Sequence, residues 1–432
     1  MNYLEIRGLF NRFDYNIEFG NRDIQMLTGP NGFGKSTILR CIRAFSDSNL
    51  EFFFMLPFQS IRMGNDITKQ EMCIEKQTDK ERELTVRAVT HEWHITEGML
   101  KNFRKPQAVS KDLLITDPND SAVKWLLEYM DGTHGMKNNE SSKSAIYEIN
   151  RLMKDIVGEV FFIEEQRLIQ KRQVRKYNKD YTNTGLYYKP EKTREEWESV
   201  IELIPGRIKR DLDDAAGEYA SKANSLDATY PQRLFSDSDD VFSEEDYRHQ
   251  RAAMDEKLNK LQKYEISQFN RIEAQYQEKY GKALKIYFED FNEKYKAYER
   301  LIDKLDMFTE MVNKRLYFDE LRIDKDKGCV VVNRENGDIA LNLDKLSSGE
   351  KETIVLFYKL VFEVREGTLL LVDEPEISLH VAWQRMFAED MAVIARKRGI
   401  RILAATHAPM IINGKWDVQT DLGEQYGRKC NG

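Results

Sequence analysis

The chain has 432 residues, 41% apolar and 32% charged, with a formal net charge of −7. That length supports two or three lobes with substantial cores, while the negative balance excludes a global basic field for nucleic acid, and no apolar run approaches the roughly 20 residues of a membrane span. Four cysteines stand singly, Cys41, Cys73, Cys329 and Cys430; they fit neither a disulfide framework nor a zinc site and point to a reducing, cytoplasmic compartment.

The N-terminal stretch "MNYLEIRGLFNRFDY" alternates charged and apolar residues and reads as a strand, not as a signal peptide. "YLEIRGL" and "DIQMLTG" are predicted strands, and "KSTILRCIRAF" has helical periodicity. "FQSIRM", "EMCIEKQ" and "ELTVRAVTHEWHI" are predicted antiparallel strands, residues 101–150 match neither period, and "KNNESSKS" reads as a loop. Residues 193–315 are highly charged and poor in Gly and Pro. There "DEKLNKLQKYEISQFNRIEAQYQEKYGKALKIYFEDFNEKYKAYERLIDKL" reads as one long helix, with Leu258, Leu261, Ile272, Tyr276, Tyr280, Tyr287, Phe291, Tyr295 and Tyr298 as its apolar stripe. A helix of that length needs a partner for the stripe. The upstream run "EWESVIELIPGRIKRDLDDAAGEYASKAN" is its predicted antiparallel partner, joined through residues 236–246. Beyond residue 316, "GCVVVN" and "IALNLD" resemble a hairpin, followed by helix "EKETIVLFYKLVFEVR", strand "TLLLVDE", helix "VAWQRMFAEDMAVIARKR" and strand "IRILAATH". Such alternation predicts a parallel, helix-covered sheet. The expected division is an N-terminal lobe 1–190, a helical or coiled-coil insertion 191–315 and a C-terminal lobe 316–432.

The chemistry concentrates in a few stretches. Gly29 to Ser36, "GPNGFGKS", fits G-x-x-x-x-G-K-[ST] between a predicted strand and a predicted helix, the context that marks a phosphate-binding loop. Asn31, Gly32, Phe33, Gly34 and Thr37 would surround the phosphates, Lys35 would reach the β- and γ-phosphates, and Ser36 would bind Mg²⁺. "TLLLVDEPE" delivers Asp373 at the end of an apolar strand as a second Mg²⁺ ligand. Glu374 follows as the candidate base for an attacking water, provided the strand end turns to bring both carboxylates to one side. His407, at the end of the next strand, could hydrogen-bond the γ-phosphate or the water. Together these predict ATP and Mg²⁺ as cofactors.

"LSSGEK", Leu346 to Lys351, resembles the LSGGQ signature of ABC-type ATPases. Its place between the phosphate loop and the acidic strand, with "SLH" at 378–380 as D-loop and His407 as switch, follows the ABC order. The resemblance implies an α/β ABC-ATPase head, a P-loop mixed sheet with an antiparallel β subdomain, interrupted by the helical insertion. It also implies that Ser347 and Gly349 cap the γ-phosphate bound by a second copy, giving a homodimer with ATP sandwiched at the interface, and through it assemblies such as a trimer of dimers. Ser348 and Glu350 depart from LSGGQ, and this form resembles the RecF/SMC branch; the long insertion speaks against a transporter subunit. "FFIEEQRLIQ" resembles the Q-loop of ATPases related to OLD nucleases, which makes Gln166 a Mg²⁺ ligand, with Gln59 in "LPFQSIRM" as the alternative. "GLFNRFDYNIEF" is similar to the same group and would bring Arg12 or Phe13 near the base or ribose. No OLD-type nuclease is expected after His407. The resemblance, together with the tail "DLGEQYG", therefore implies an AriA-like ATPase of the PARIS anti-phage system, with the PtuA-like ATPases of Septu next. Such a protein would hold a separate nuclease, TOPRIM-type or else HNH-type, acting on tRNA or DNA, and release it on meeting a phage-encoded trigger. The alternative is a RecF/SMC-like ATPase that binds DNA in repair or maintenance. The basic run "QRLIQKRQVRKYNKDY", with Arg167, Lys171, Arg172, Arg175, Lys176 and Lys179, is either a phosphate-binding surface or a solvated face.

Overall fold

The computed structural model describes every residue except 21, 66–67, 77–82, 89–90, 104–139, 165–166, 175–176, 183–184, 191–193, 237–241, 267–274, 336, 338–339, 378, 380 and 431–432. The chain forms two compact units, one of Met1–Glu165 with Arg365–Ile377 and Gln384–Gly432, the other of Gln166–Val364 with Ser378–Trp383.

The first unit is built on a sheet of five strands in the order Gln419–Asp421, Ile24–Thr28, Arg401–Ala405, Leu369–Asp373 and Val160–Ile163. Every pairing in it is parallel. Ile24–Thr28 and Leu369–Asp373 are buried at every position. Strands covered on both faces must be apolar throughout, which is why they read as unbroken runs and not as alternation. Helix Lys35–Ser46 follows the first of them and buries Ile38, Leu39, Ile42 and Phe45 on one face. A six-stranded antiparallel sheet completes the unit, in the order Phe13–Glu18, Tyr3–Leu9, Ser60–Asn65, Gln70–Lys76, Glu83–Ala88 and His91–Thr96. Here "ELTVRAVTHEWHI" is not one strand but a hairpin, Glu83 pairing with Thr96 and Ala88 with His91. Within "KNNESSKS", the residues from Glu140 onward open helix Glu140–Val157 instead of a loop. Ile146, Ile149, Met153, Ile156 and Val157 carry its apolar face into the core.

The second unit holds the helical insertion. The single long helix expected there is two: Glu244–Lys263 ends at Tyr264, and Gly281–Asn313 begins after a 3-10 turn, Glu278–Tyr280. Glu265 adopts φ +54°, a left-handed conformation that stops a helix. The upstream partner starts later than expected. "EEWES" belongs to strand Arg194–Ser199, paired with Ile169–Val174, and the helix runs Val200–Phe235. Arg233 bridges Asp290 at 2.5 and 2.9 Å, Lys294 bridges Asp227 at 3.0 Å, and Tyr219 packs on Tyr298. Falling numbers on one helix meet rising numbers on the other, so the two are antiparallel. Phe291, Tyr295 and Tyr298 are buried between helices, whereas Tyr280 and Tyr287 are exposed. The hairpin expected from "GCVVVN" gains a third strand: Asp319–Asp324 pairs with Gly328–Asn333, which pairs with Ala340–Leu341.

Arg167 corrects the reading of the basic run. It is 1% exposed, with its Nε 3.7 Å from Glu352 Oε2, so it belongs to the interior of its unit and not to a solvated face. Gln166 lies outside the described residues, as do Ser378 and His380 of the expected D-loop.

Candidate nucleotide site

The phosphate loop leaves strand Ile24–Thr28 and enters helix Lys35–Ser46. Gly32 and Gly34 both adopt φ +82°, a left-handed turn in which a side chain would be strained. At Gly34 a Cβ would also sit 2.9 Å from Leu9 Cδ2. The turn and the helix N-terminus bound a cavity of about 280 Å³ lined by Phe10, Asn31, Gly32, Gly34, Lys35, Ser36, Thr37 and Glu374. A helix N-terminus with free backbone N–H groups and a lysine beside it is a site for an anion. Lys35 Nζ donates to the carbonyls of Gly29 at 2.8 Å and Pro30 at 3.2 Å. Burial lowers its pKa, and the nearby carboxylates Glu374, Glu376 and Asp373 work against that shift and favour the charged ammonium.

Asp373 ends its buried strand, in register with Ala405 of the neighbouring strand. Its Oδ1 accepts from Ser36 Oγ at 2.9 Å. Two residues 337 apart in sequence are thus brought together at the C-terminal edge of the parallel sheet, where ligands bind in such folds. Among the described residues no cluster of three or more His, Cys, Asp or Glu could hold a metal alone. A hydroxyl and a carboxylate are hard oxygen donors, and they fit Mg²⁺ held jointly with nucleotide phosphates, which needs only one or two protein ligands.

Next along the chain, Glu374 has φ +44°, a strained conformation for a residue with a side chain. Its N–H donates to Ala405 O at 2.9 Å and its carbonyl accepts from Ile377 N–H at 3.2 Å. That left-handed residue is the turn that the sequence required, and it brings Glu374 to the cavity wall beside Ser36. His407, 43% exposed in its side chain, has Nδ1 3.9 Å from Glu374 Oε1 and 3.1 Å from Glu376 Oε1.

Several participants escaped the sequence reading. Glu376 is 6% exposed, and its Oε1 accepts from Thr406 Oγ1 and from the His407 N–H, each at 2.8 Å. Its place two residues past Glu374 in "DEPE" was the available signal. Phe10 lines the cavity from a left-handed turn at φ +54°. Phe33, expected at the phosphates, has its ring in an aromatic cluster with Phe13 at 5.1 Å and Tyr426 at 5.8 Å, while its carbonyl accepts from Tyr15 Oη at 2.7 Å. Arg12 lies over the rings of Phe13 and Tyr426, at 5.3 and 5.4 Å from their centroids. Tyr426 comes from the C-terminal helix Leu422–Cys430, which braces the loop: a Cβ at Gly29 would lie 3.3 Å from Leu422 Cβ.

Ser347 belongs to the second unit. It is the N-cap of helix Ser348–Tyr358 in a reciprocal capping box with Glu350. Glu350 Oε2 accepts from Ser347 N–H at 2.9 Å and from Ser347 Oγ at 2.6 Å, and Ser347 Oγ accepts from Glu350 N–H at 3.4 Å. "SSGE" is therefore a helix start signal in its own right. From Thr353 to Tyr358 the helix is buried, Ser347 and Ser348 are exposed, and Gly349 is partly so.

Fold and phosphate loop together define an α/β nucleotide-binding protein. The chain belongs to the AAA ATPase domain family, whose model matches residues 4–412. No curated protein matches it. Solved structures similar to it include three SMC heads. The Smc head domain of Pyrococcus furiosus, with an extended coiled coil bound to the C-terminal domain of ScpA, is 12% identical over 95% of this chain and 90% of that one, at a TM-score of 0.36. An SmcHead bound to the C-winged helix domain of ScpA is 11% identical over 95% and 91%, at 0.40. The SMC head domain from Thermotoga maritima is 11% identical over 95% and 91%, at 0.36.

Proposed function

We propose that the chain is an ABC-type ATPase of the RecF/SMC/OLD-like branch that hydrolyses ATP slowly at a site completed by a second copy. The observation that carries this reading is the Ser36–Asp373 contact, at 2.9 Å, beside a cavity walled by Lys35 and Glu374. The phosphate loop and Lys35 bind the phosphates. Mg²⁺, held by Ser36 and Asp373, would supply charge neutralisation there. Glu374 orients the attacking water and takes its proton, and His407 donates or accepts a hydrogen bond at the phosphate side. The exposed N-terminus of the Ser347 helix is where the second copy's γ-phosphate would be capped. Phosphate release by the wild type, lost in Lys35→Ala, tests the reading; equal release by both would end it.

In the cell, this ATPase would act as the sensor and scaffold of an anti-phage system, holding a separately encoded nuclease until a phage component arrives. The RecF/SMC-like reading, a DNA-binding maintenance ATPase, rests on the same head and insertion. Net charge −7 weighs against tight non-specific DNA binding. Co-purification with the neighbouring gene product supports the scaffold. Tight, steeply salt-dependent binding to duplex DNA would favour the alternative.

A further inference from the structure

Glu376 is a buried carboxylate that neither phosphate binding nor water activation uses. One oxygen, Oε1, gathers the Thr406 hydroxyl at 2.8 Å, the His407 N–H at 2.8 Å and the His407 ring Nδ1 at 3.1 Å. The other, Oε2, is buried without a hydrogen-bond partner among the described residues. Burying a carboxylate with one oxygen unsatisfied is costly, so its partners on Oε1 must repay much of that cost. Two of them are on His407 itself. Thr406 is fixed as well: its N–H donates to Leu27 O at 3.0 Å, and its hydroxyl accepts from Ala408 N–H at 3.0 Å. The turn that carries the histidine is thus tied to the carboxylate at both backbone and ring.

The ring contact at 3.1 Å has the distance of an ion pair, and because an ionised carboxylate can only accept, the proton that would close it into a hydrogen bond must sit on Nδ1. The hydrogen bond at one ring nitrogen decides what the other can do. We propose that Glu376 is a positioning residue of the ATPase site: it takes the Nδ1–H of His407, fixes that tautomer and the ring's orientation, and leaves Nε2 as the nitrogen offered to the nucleotide's terminal phosphate or its water. Glu374 Oε1, 3.9 Å from the same Nδ1, is the weaker competitor. This role rests on the ATPase reading, but the contact itself does not.

The test uses the full chain labelled with ¹⁵N-histidine at about pH 8, above the ordinary histidine range, so that the neutral tautomer is read directly. His407→Asn assigns the resonance among six histidines. Wild type should give the Nδ1-protonated pattern. Glu376→Ala should move His407 towards the Nε2-protonated pattern and lower kcat about 10–100-fold, the usual cost of losing such an outer partner, with nucleotide affinity held within about threefold. Glu376→Gln, of the same shape, retains an acceptor and should keep the tautomer and more of the rate. An Nε2-protonated wild type, an unmoved pattern in both variants, or a shifted pattern with unchanged kcat would each overturn the proposal. If wild type hydrolyses no ATP while its ring shows the Nδ1-protonated pattern, the ATPase reading fails and Glu376's hold on the ring stands.

Discussion

Ser347 caps its helix, and the proposed mechanism gives it a second task that substitution can separate from the first. As an N-cap it engages Glu350 through contacts of 2.6, 2.9 and 3.4 Å. As a signature residue it would meet a phosphate bound by a second copy. Ser347→Ala removes the hydroxyl but keeps the backbone N–H that donates to Glu350, so the loss should sit near the middle of the usual capping range, about 1 kcal/mol. For a unit of this size that lowers its melting temperature by about 2–4 °C. Removing one hydrogen bond to a charged phosphate should weaken ATP-dependent assembly by about 1.5–3 kcal/mol, roughly 10–150-fold. Ser347→Asp keeps a capping acceptor, and its charge is favoured at a helix N-terminus, although Glu350 is then a like-charged neighbour. It should melt within about 1 kcal/mol of wild type, yet repel a triphosphate 4 Å away by about 4 kcal/mol in a partly desolvated interface and lose assembly. The assay is size-exclusion chromatography with light scattering, with ATP and Mg²⁺, in a Glu374→Gln background that preserves the nucleotide, alongside thermal melts. Wild-type assembly by Ser347→Asp would refute the signature role, and an unchanged melt in Ser347→Ala would refute the capping role.

Other outcomes follow from the same structure. Lys35→Ala should abolish nucleotide binding in a titration, because the phosphates lose their main cation; near-normal affinity would contradict its place in the site. Gly328→Ala should destabilise the second unit by more than about 2 kcal/mol in a denaturant melt, since φ is +83° and the new Cβ would fall 1.9 Å from the Pro205 carbonyl oxygen. Burial pushes Tyr264, Tyr295 and Tyr358 in that unit up to about 12 from 10.0. Folded-state pKa values above the unfolded ones mean stability that is fully present below about pH 10 and is lost as pH rises through about 12. Alkaline melts should fall across that window, and Tyr295→Phe should flatten the fall; parallel curves for wild type and variant would reject the assignment.

How much of this was legible depended on local signals. "GPNGFGKST" and "TLLLVDEPE" announced themselves because a phosphate cradle needs glycines at fixed steps and a parallel strand needs an unbroken apolar run. The turn at Glu374 followed from side-chain alternation alone, and φ +44° supplied it. Periodicity failed where a helix ends without Gly or Pro: "LQKYEISQFN" keeps its three- and four-residue spacing through Glu265, whose left-handed backbone has no local sequence mark. "EEWES" is as good a helix start as a strand, and only its pairing with Ile169–Val174 decides. Arg167 looked solvated because its neighbours are basic; its partner Glu352 is far away in sequence. Tyr426 and Glu376 were missed for the same reason, since their roles are set by residues from distant strands.

In the proposed mechanism Glu374 is the base of an ATP-fed machine whose assembly is held by uncleaved nucleotide. Glu374→Gln keeps shape but not base strength, and losing a general base typically costs about 10²–10⁴-fold in rate. Phosphate release and size-exclusion chromatography on the same sample, with ATP and Mg²⁺, measure both halves at once. Slow turnover together with an ATP-stabilised dimer is the expected result, whereas Asp373→Asn should weaken nucleotide binding itself. Unchanged turnover in Glu374→Gln would remove it as the base, and slow turnover with the protein still monomeric would contradict the shared site.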